Sequence, residues 1–145
     1  MKNVLVLLCA LLALCACDSS ESTLLVTSFE PDRLEVPAAG GTYSLCQGGV
    51  VDYSLHVAEM EGMRYEGSDK KEEDGSGKVW EGHKPPRYVS RFYGEWFDVR
   101  KKSTREISVT LSRNTSGSVR YINFSVSGLW ITGMPQNITV VQKAE

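Results

Sequence analysis

Apolar and polar residues alternate in short runs from residue 24 to the end of the chain. In the clearest runs, residues 51–57, 105–113 and 119–126, apolar side chains recur at every second position. A period of two is typical of β-strands with one buried face, whereas an amphipathic helix repeats every three to four residues. Because the sequence shows no helical period, the pattern predicts an all-β fold.

Turn-forming residues separate these runs. Pro31-Asp32 predicts a turn, Ala38-Ala39-Gly40-Gly41 predicts a bend with positive φ, and Asn114-Thr115-Ser116-Gly117 predicts the closure of a hairpin. We interpret residues 137–142 as an edge strand with an outward Gln142 amide. About seven to nine short strands at this spacing predict an immunoglobulin-like antiparallel β-sandwich.

Residues 59–93 interrupt the regular pattern. Within them, residues 66–84 hold the charge run Lys70-Lys71-Glu72-Glu73-Asp74 and several glycines, and Trp80 is the one large aromatic residue there. We therefore predict a long inserted loop over about 59–93. The acidic residues follow each other directly, whereas a calcium-binding loop places them at alternate positions, so no metal site is predicted.

The N-terminal residues are organised differently. A positively charged start precedes an apolar run over residues 4–13, which is too short to span a bilayer, and Leu14-Cys15-Ala16-Cys17 resembles a bacterial lipobox. The acidic residues that follow resemble the signals that send such lipoproteins to the cell surface. We therefore expect a lipid-anchored protein of the bacterial cell envelope, at the outer membrane or cell surface. Its first segments are a lipoprotein signal peptide over 1–16, a lipidated Cys17, and a flexible tether over 17–23.

Composition narrows the range of functions. The chain of 145 residues holds 16 basic and 18 acidic residues, and removal of residues 1–16 would take away one lysine and no acid. The mature protein is therefore mildly acidic and offers no basic patch for nucleic acid. Cys9 and Cys15 would leave with the signal peptide and Cys17 would carry lipid, so Cys46 is expected to form no intramolecular disulfide. We interpret Cys46 as a small apolar strand residue.

Four motifs of the remaining single domain, residues 24–145, resemble a known family. They are Ala39-Gly40-Gly41-Thr42-Tyr43-Ser44, Glu95-Trp96-Phe97-Asp98-Val99, the segment from Val109-Thr110-Leu111 to Arg120, and Ile138-Thr139-Val140-Val141-Gln142-Lys143-Ala144. Together they look like a BACON domain, the Bacteroidetes-associated, often N-terminal, immunoglobulin-like domain whose name records a conjecture about carbohydrate or mucin binding. The resemblance implies an immunoglobulin-like β-sandwich in an envelope protein. The insertion over 59–93 departs from the family, so no family property is carried over to it.

Three aromatic residues are candidates for binding a glycan. Sugar rings stack their C–H groups on flat aromatic faces, and loops on a rigid sandwich often carry binding residues. The candidates are Trp80, Tyr88 and Trp130, with His83 and Gln136 as polar neighbours. Since the resemblance implies the same function, we expect a non-catalytic binding module for carbohydrate or mucin glycans.

A structural role is the alternative. An anchored immunoglobulin-like domain also offers edge strands to a partner, so the chain could be a spacer or a protein-interaction domain of an envelope complex. Catalysis is not expected, because the sequence has no Gly-x-Ser-x-Gly, His-Glu-x-x-His, Cys-x-x-Cys or phosphate-loop motif. No cofactor is expected either.

Overall fold

A computed structural model gives the fold of the protein. In residues 78–81 it describes the backbone alone, and the described residues are 28–49, 51–58, 60, 62–68, 78–81, 87–128 and 134–145. No helix in this described part is long and apolar enough to cross a membrane. Several predictions fall outside the described residues, namely the signal peptide over 1–16, the tether over 17–23, lipidated Cys17, His83 and Trp130.

Eleven β-strands and no helix make up the described part of the chain, so the all-β prediction is confirmed. The number exceeds the predicted count of about seven to nine because three strands lie within residues 59–93. The strands are β1 (Phe29–Glu30), β2 (Arg33–Val36), β3 (Gly41–Gln47), β4 (Tyr53–Val57), β5 (Arg64–Ser68), β6 (Lys78–Glu81), β7 (Tyr88–Tyr93), β8 (Phe97–Ser103), β9 (Glu106–Leu111), β10 (Arg120–Gly128) and β11 (Gln136–Gln142).

The inserted residues 59–93 differ from the predicted loop. β5 pairs with both β6 and β7, and Tyr65 of β5 lies directly opposite Phe92 of β7. Both side chains are buried, so the insertion contributes to the core. The sequence pattern concealed β7 because a register shift opposite Glu66 and Gly67 skips Ser90, so the buried residues Val89 and Phe92 lie three positions apart instead of two.

The strands form one nearly closed sheet. Its order is β1-β3-β9-β8-β7-β4-β10-β11-β2, with β5 and β6 branching from β7. In the described part of the sheet, β2 and β11 are parallel and the other neighbouring strands are antiparallel. β1 and β2 follow each other in the chain yet lie at opposite ends of this order, so the chain between them brings the two edges together. The sheet is therefore barrel-like, and the finer prediction of an immunoglobulin-like sandwich stays a prediction.

The side chain of Gln136 links these two edges. Its Oε1 accepts a hydrogen bond from the Phe29 amide at 2.6 Å, and its Nε2 donates one to the Phe29 carbonyl at 2.8 Å. The side-chain amide takes the place of a neighbouring strand, because it offers β1 the same donor and acceptor that a backbone would. Gln136 therefore has a structural role in the closure of the sheet.

Aromatic side chains from distant parts of the sequence meet in the core. Phe92 and Phe124 pack edge to face with their ring centroids 5.4 Å apart, and Phe29 and Tyr53 do the same at 4.8 Å. The Tyr53 hydroxyl donates a hydrogen bond to the Glu106 carbonyl at 2.9 Å. Burial raises the pKa of Tyr53, so the hydroxyl keeps the proton that this bond requires.

The connection between β9 and β10 is not a hairpin, which corrects the prediction. The two strands are not neighbours in the sheet, and Asn114 in the connection is fully buried. Its Nδ2 donates to the carbonyls of Ser118 and Lys143 at 2.7 and 3.0 Å. Its Oδ1 accepts from the amide of Ser116 at 3.1 Å and from the hydroxyl of Ser116 at 2.7 Å. Asn114 thus uses its full hydrogen-bonding capacity to fix a crossing between two parts of the sheet.

Gln142 faces the interior, which corrects the prediction of an outward amide on an edge strand. β11 lies between β10 and β2, so it is not an edge. Gln142 is buried, and its Nε2 donates to the Ser112 carbonyl at 2.7 Å and to the Ala38 carbonyl at 3.3 Å. The C-terminal strand is therefore tied to the turns that precede β3 and follow β9.

Candidate functional site

The outer surface of the sheet has two polar faces of different character. Both cover the same core, so they can be compared as surfaces of one scaffold. The neutral face consists of outward side chains of β4, β10 and β11, namely His56, Asn123, Ser125, Ser127, Asn137 and Thr139. The charged face consists of outward side chains of β3, β5, β7, β8 and β9, namely Thr42, Ser44, Glu66, Arg91, Asp98, Arg100, Glu106 and Thr110.

The neutral face arises from the alternation of β10 and from its pairing with two neighbours. The even-numbered residues from 122 to 126 are at most 4% exposed, so the odd-numbered residues between them point outward. Asn123 lies opposite Thr139, and Ser125 lies opposite both Asn137 of β11 and His56 of β4. Because side chains of directly opposite residues are neighbours, three strands bring these polar groups together.

The polar side chains of the neutral face surround an open groove. Its volume is about 500 Å³. Phe124 and Ile138 lie beneath it, but their side chains are buried in the core and do not open into the groove. Apart from His56, the residues that line it carry no titratable side chain. The groove therefore offers a ligand mainly hydrogen-bonding groups.

Several hydrogen-bonding groups of the groove have no protein partner. The Thr139 hydroxyl donates to Asn123 Oδ1 at 3.0 Å, which fixes the amide and directs its Nδ2 donors elsewhere. Within the residues that the structure describes, the side chains of Ser125 and Asn137 make no hydrogen bond. Hydroxyl and amide groups provide both donors and acceptors. The groove therefore presents donors and acceptors side by side to a ligand.

His56 adds a neutral group to the groove. Its Nε2 lies 2.6 Å from the hydroxyl oxygen of Ser127. Partial desolvation of the ring lowers the pKa of His56, because removal from water disfavours the charged imidazolium. At neutral pH the ring is uncharged, so the groove offers hydrogen bonds without net charge.

The contact between His56 and Ser127 does not form a catalytic triad. A nucleophilic serine needs a base that is itself oriented by a third group. Among the described residues, no third side chain bonds to the other ring nitrogen of His56. The described residues also contain no group of three or more His, Cys, Asp or Glu side chains placed to hold a metal ion.

The charged face differs from the neutral face because its charged side chains bind one another. Arg91 forms a two-pronged ion pair with Asp98, at 2.9 Å from Nε to Oδ1 and 2.7 Å from Nη2 to Oδ2, and a second ion pair with Glu66. Its guanidinium also lies 4.3 Å from the ring centroid of Tyr93. The hydrogen bonds to Asp98 contribute most to raising the pKa of Arg91 above its usual value. The charges at the centre of this face are thus satisfied internally.

The aromatic residues predicted from sequence do not form one described site. Tyr88 is half-buried at the start of β7, where the Arg87 guanidinium lies 5.4 Å from its ring centroid, and it does not line the groove. The backbone of Trp80 lies in β6 opposite Tyr65, but its side chain is outside the described structure, as is Trp130.

The sequence does not point to the residues of the neutral face, because they are small polar residues on strands and not aromatic residues in loops. The alternation in residues 119–126 already places Asn123 away from the core face. That signal alone identifies one strand. The sequence does not show that β4 and β11 are the neighbours of β10, and this pairing is what assembles the groove.

Two solved structures are similar to this chain. An NMR structure of a protein from Bacteroides thetaiotaomicron has a TM-score of 0.49 and 19% identity, and the match covers 89% of this chain and 98% of that one. A Bacteroides ovatus GH5 xyloglucanase, solved in complex with a XXXG heptasaccharide, has a TM-score of 0.40 and 16% identity, covering 81% of this chain and 19% of the xyloglucanase. No protein-family model and no curated protein matches the sequence.

Proposed function

We propose that this protein is a non-catalytic, lipid-anchored carbohydrate-binding module of the bacterial cell envelope, and that it binds a neutral glycan in the groove of the neutral face. The observation that carries the proposal is the set of unpaired hydrogen-bonding groups there. Ser125, Asn137 and the Asn123 amide nitrogen have no partner among the described residues. A protein surface that keeps such groups together in one groove is suited to a ligand of many hydroxyls.

The chemistry of the groove favours a neutral sugar over a charged ligand. Each sugar hydroxyl donates and accepts hydrogen bonds, and serine, threonine and asparagine side chains do the same. An anionic ligand would call for arginine or lysine, and neither lines the groove.

The strand positions of these residues support tight recognition. Asn123 and Ser125 lie on a central strand with paired neighbours on both sides, so their backbone is fixed before a ligand arrives. The hydrogen bond from Thr139 also fixes the Asn123 amide. A site that is already ordered avoids much of the entropic cost of binding.

Affinity electrophoresis tests the proposal. The full-length chain in mild detergent is run through gels that contain mucin or neutral plant and microbial polysaccharides. We expect at least one polysaccharide to retard the wild type, Asn137→Ala to lose most of that retardation, and Thr110→Ala on the charged face to keep it. If every gel leaves the wild type unretarded, the carbohydrate proposal fails and a protein partner becomes the better candidate. If the wild type is retarded but both variants behave alike, the protein binds carbohydrate outside the groove.

The lipid anchor is tested separately by cell fractionation. Each buried methylene contributes about 0.8 kcal/mol to membrane affinity, and two or more acyl chains hold a protein stably. We expect Cys17→Ala to release the protein from the membrane fraction, while the matched variant Cys15→Ala stays bound. Membrane retention of Cys17→Ala would contradict the proposed anchor and would leave the glycan proposal untouched.

A further inference from the structure

We infer that the site continues along β10 from the groove to Tyr121, so that its ligand is an extended oligosaccharide rather than a single terminal sugar. This inference rests on the proposed function and names the ligand class of the same site. It requires a second subsite with its own contacts, on the same face and in line with the groove.

Tyr121 provides the aromatic surface of this second subsite. In the described part of the chain, the large apolar side chains that are exposed are Val119, Tyr121 and Met134, and Tyr121 is 55% exposed. It precedes Asn123 by two residues on β10, so the two side chains point to the same face. An exposed tyrosine in line with a polar groove offers a ring for stacking and a hydroxyl for hydrogen bonding.

β11 places an apolar residue beside Tyr121. Tyr121 lies directly opposite Val141 of β11, and directly opposite residues share a face. Val141 is only 7% exposed although the alternation of β11 turns it outward, which indicates that neighbouring side chains cover it. Tyr121 therefore forms the exposed apolar patch next to the groove.

β2 supplies a polar border to the patch. Glu35 lies opposite Val141 and Arg33 lies opposite Thr139, and both are exposed. The two side chains form an ion pair with 3.3 Å between Arg33 Nε and Glu35 Oε1. At this exposure the pair leaves further donors and acceptors open to solvent, and sugar hydroxyls can bind them.

The length of the combined surface decides between one sugar and several. Tyr121 and Ser125, the groove residue farthest from it on β10, are four residues apart, which corresponds to about 13 Å at the usual rise of a β-strand. This distance exceeds the width of a single sugar ring. A ligand that contacts Tyr121 and reaches across the groove to Ser125 must therefore contain more than one sugar.

Titration calorimetry with the full-length chain tests the inference. The probes are cello-, manno- and galacto-oligosaccharides of two and of six sugars. We expect the six-sugar member of the binding series to bind about tenfold tighter than the two-sugar member, a difference of about 1.4 kcal/mol. Tyr121→Ala should remove this advantage while the two-sugar affinity stays unchanged. Tyr121→Phe, which retains the ring, should preserve it.

The control variant Val119→Ala removes another exposed apolar side chain near the start of β10, and it should preserve the length dependence. Equal affinity for short and long members, or an equal loss of both in Tyr121→Ala, would overturn the extended site while the groove remains a binding site. If the wild type binds no member of any series and is not retarded by any polysaccharide, the proposed function itself fails. These outcomes separate the two proposals.

Discussion

The charged face and the neutral face cover the same core, but their polar side chains differ in what they bind. On the charged face, Arg91 is paired with Glu66 and Asp98. On the neutral face, Ser125 and Asn137 have no side-chain partner among the described residues. The difference shows that the pairing of polar groups, more than their charge, distinguishes a structural surface from a candidate binding surface.

The two faces also contain a matched pair of contacts that isolates this difference. The hydroxyls of Thr42 and Thr110 lie 3.0 Å apart on the charged face, and the Thr139 hydroxyl lies 3.0 Å from Asn123 Oδ1 on the neutral face. The threonine pair can satisfy each other. The contact between Thr139 and Asn123 uses only the amide oxygen of Asn123. It therefore orients the amide nitrogen, whose hydrogens remain available to a ligand.

The largest expected effect comes from breaking the connection between the two faces. Asn114→Ala removes a fully buried side-chain amide that bonds the Ser118 and Lys143 carbonyls and the amide and hydroxyl of Ser116 in the crossing from β9 to β10. Because several hydrogen bonds of about 1 kcal/mol each are lost together, we expect the free energy of unfolding to fall by about 3 kcal/mol in urea denaturation. The exposed Asn123→Ala should change it by less than about 0.5 kcal/mol. Equal effects of the two variants would contradict the structural role of Asn114.

A smaller effect is expected from breaking the charged face alone. Arg91→Ala leaves the carboxylates of Glu66 and Asp98 partly buried without their cation, so we expect a loss of about 1 to 2 kcal/mol in the free energy of unfolding. The loss should shrink at about 1 M salt, which screens the wild-type pairs.

Arg33→Ala is the matched control for this ion-pair network, since its pair with Glu35 is exposed and should contribute less than about 0.5 kcal/mol. Neither arginine variant should alter retardation by a polysaccharide that occupies the groove alone. Loss of retardation in Arg91→Ala would show that the charged face takes part in binding, and the contrast between the faces would no longer hold.

The smallest expected effect concerns the one titratable group of the groove. Burial lowers the pKa of His56 in the folded protein, so the unfolded chain takes up a proton at a higher pH than the folded chain. Stability contributed by this group is therefore complete above about pH 6.5 and is lost as the pH falls below that value. We expect the melting temperature of the wild type to fall more between about pH 8 and about pH 5 than that of His56→Gln. An identical fall in both proteins would contradict the lowered pKa.

The sequence was sufficient for the features that depend on local pattern. The period of two predicted the all-β fold, and the two glycines where β3 begins predicted a bend with positive φ. Gly40 and Gly41 have φ values of +75° and +136°, and a Cβ on Gly40 would lie 2.3 Å from the Leu111 carbonyl oxygen. Such a position admits glycine alone, so its sequence signal is direct.

The features that sequence did not predict depend on which strands become neighbours. Asn114 begins a segment with the composition of a hairpin turn. The segment instead crosses from one part of the sheet to another, because β9 and β10 pair with other strands. Gln142 is a polar residue of the kind found at the end of an exposed strand. It is buried, because β2 pairs with β11 and side chains at this position face the interior. The groove is a third case, since β4 lies far from β10 and β11 in the sequence yet pairs with β10 to complete it. Pairing over long distances is not encoded in a local period.

A heteronuclear NMR titration of the isotope-labelled full-length chain shows which face binds the ligand, with the neutral oligosaccharide that binds most tightly as the titrant. We predict that the side-chain amide signals of Asn123 and Asn137 shift in proportion to occupancy. The Arg91 guanidinium signal and the backbone amide of Thr110 should stay in place. Shifts concentrated at Arg91 and Thr110, with unchanged Asn123 and Asn137 signals, would contradict this prediction.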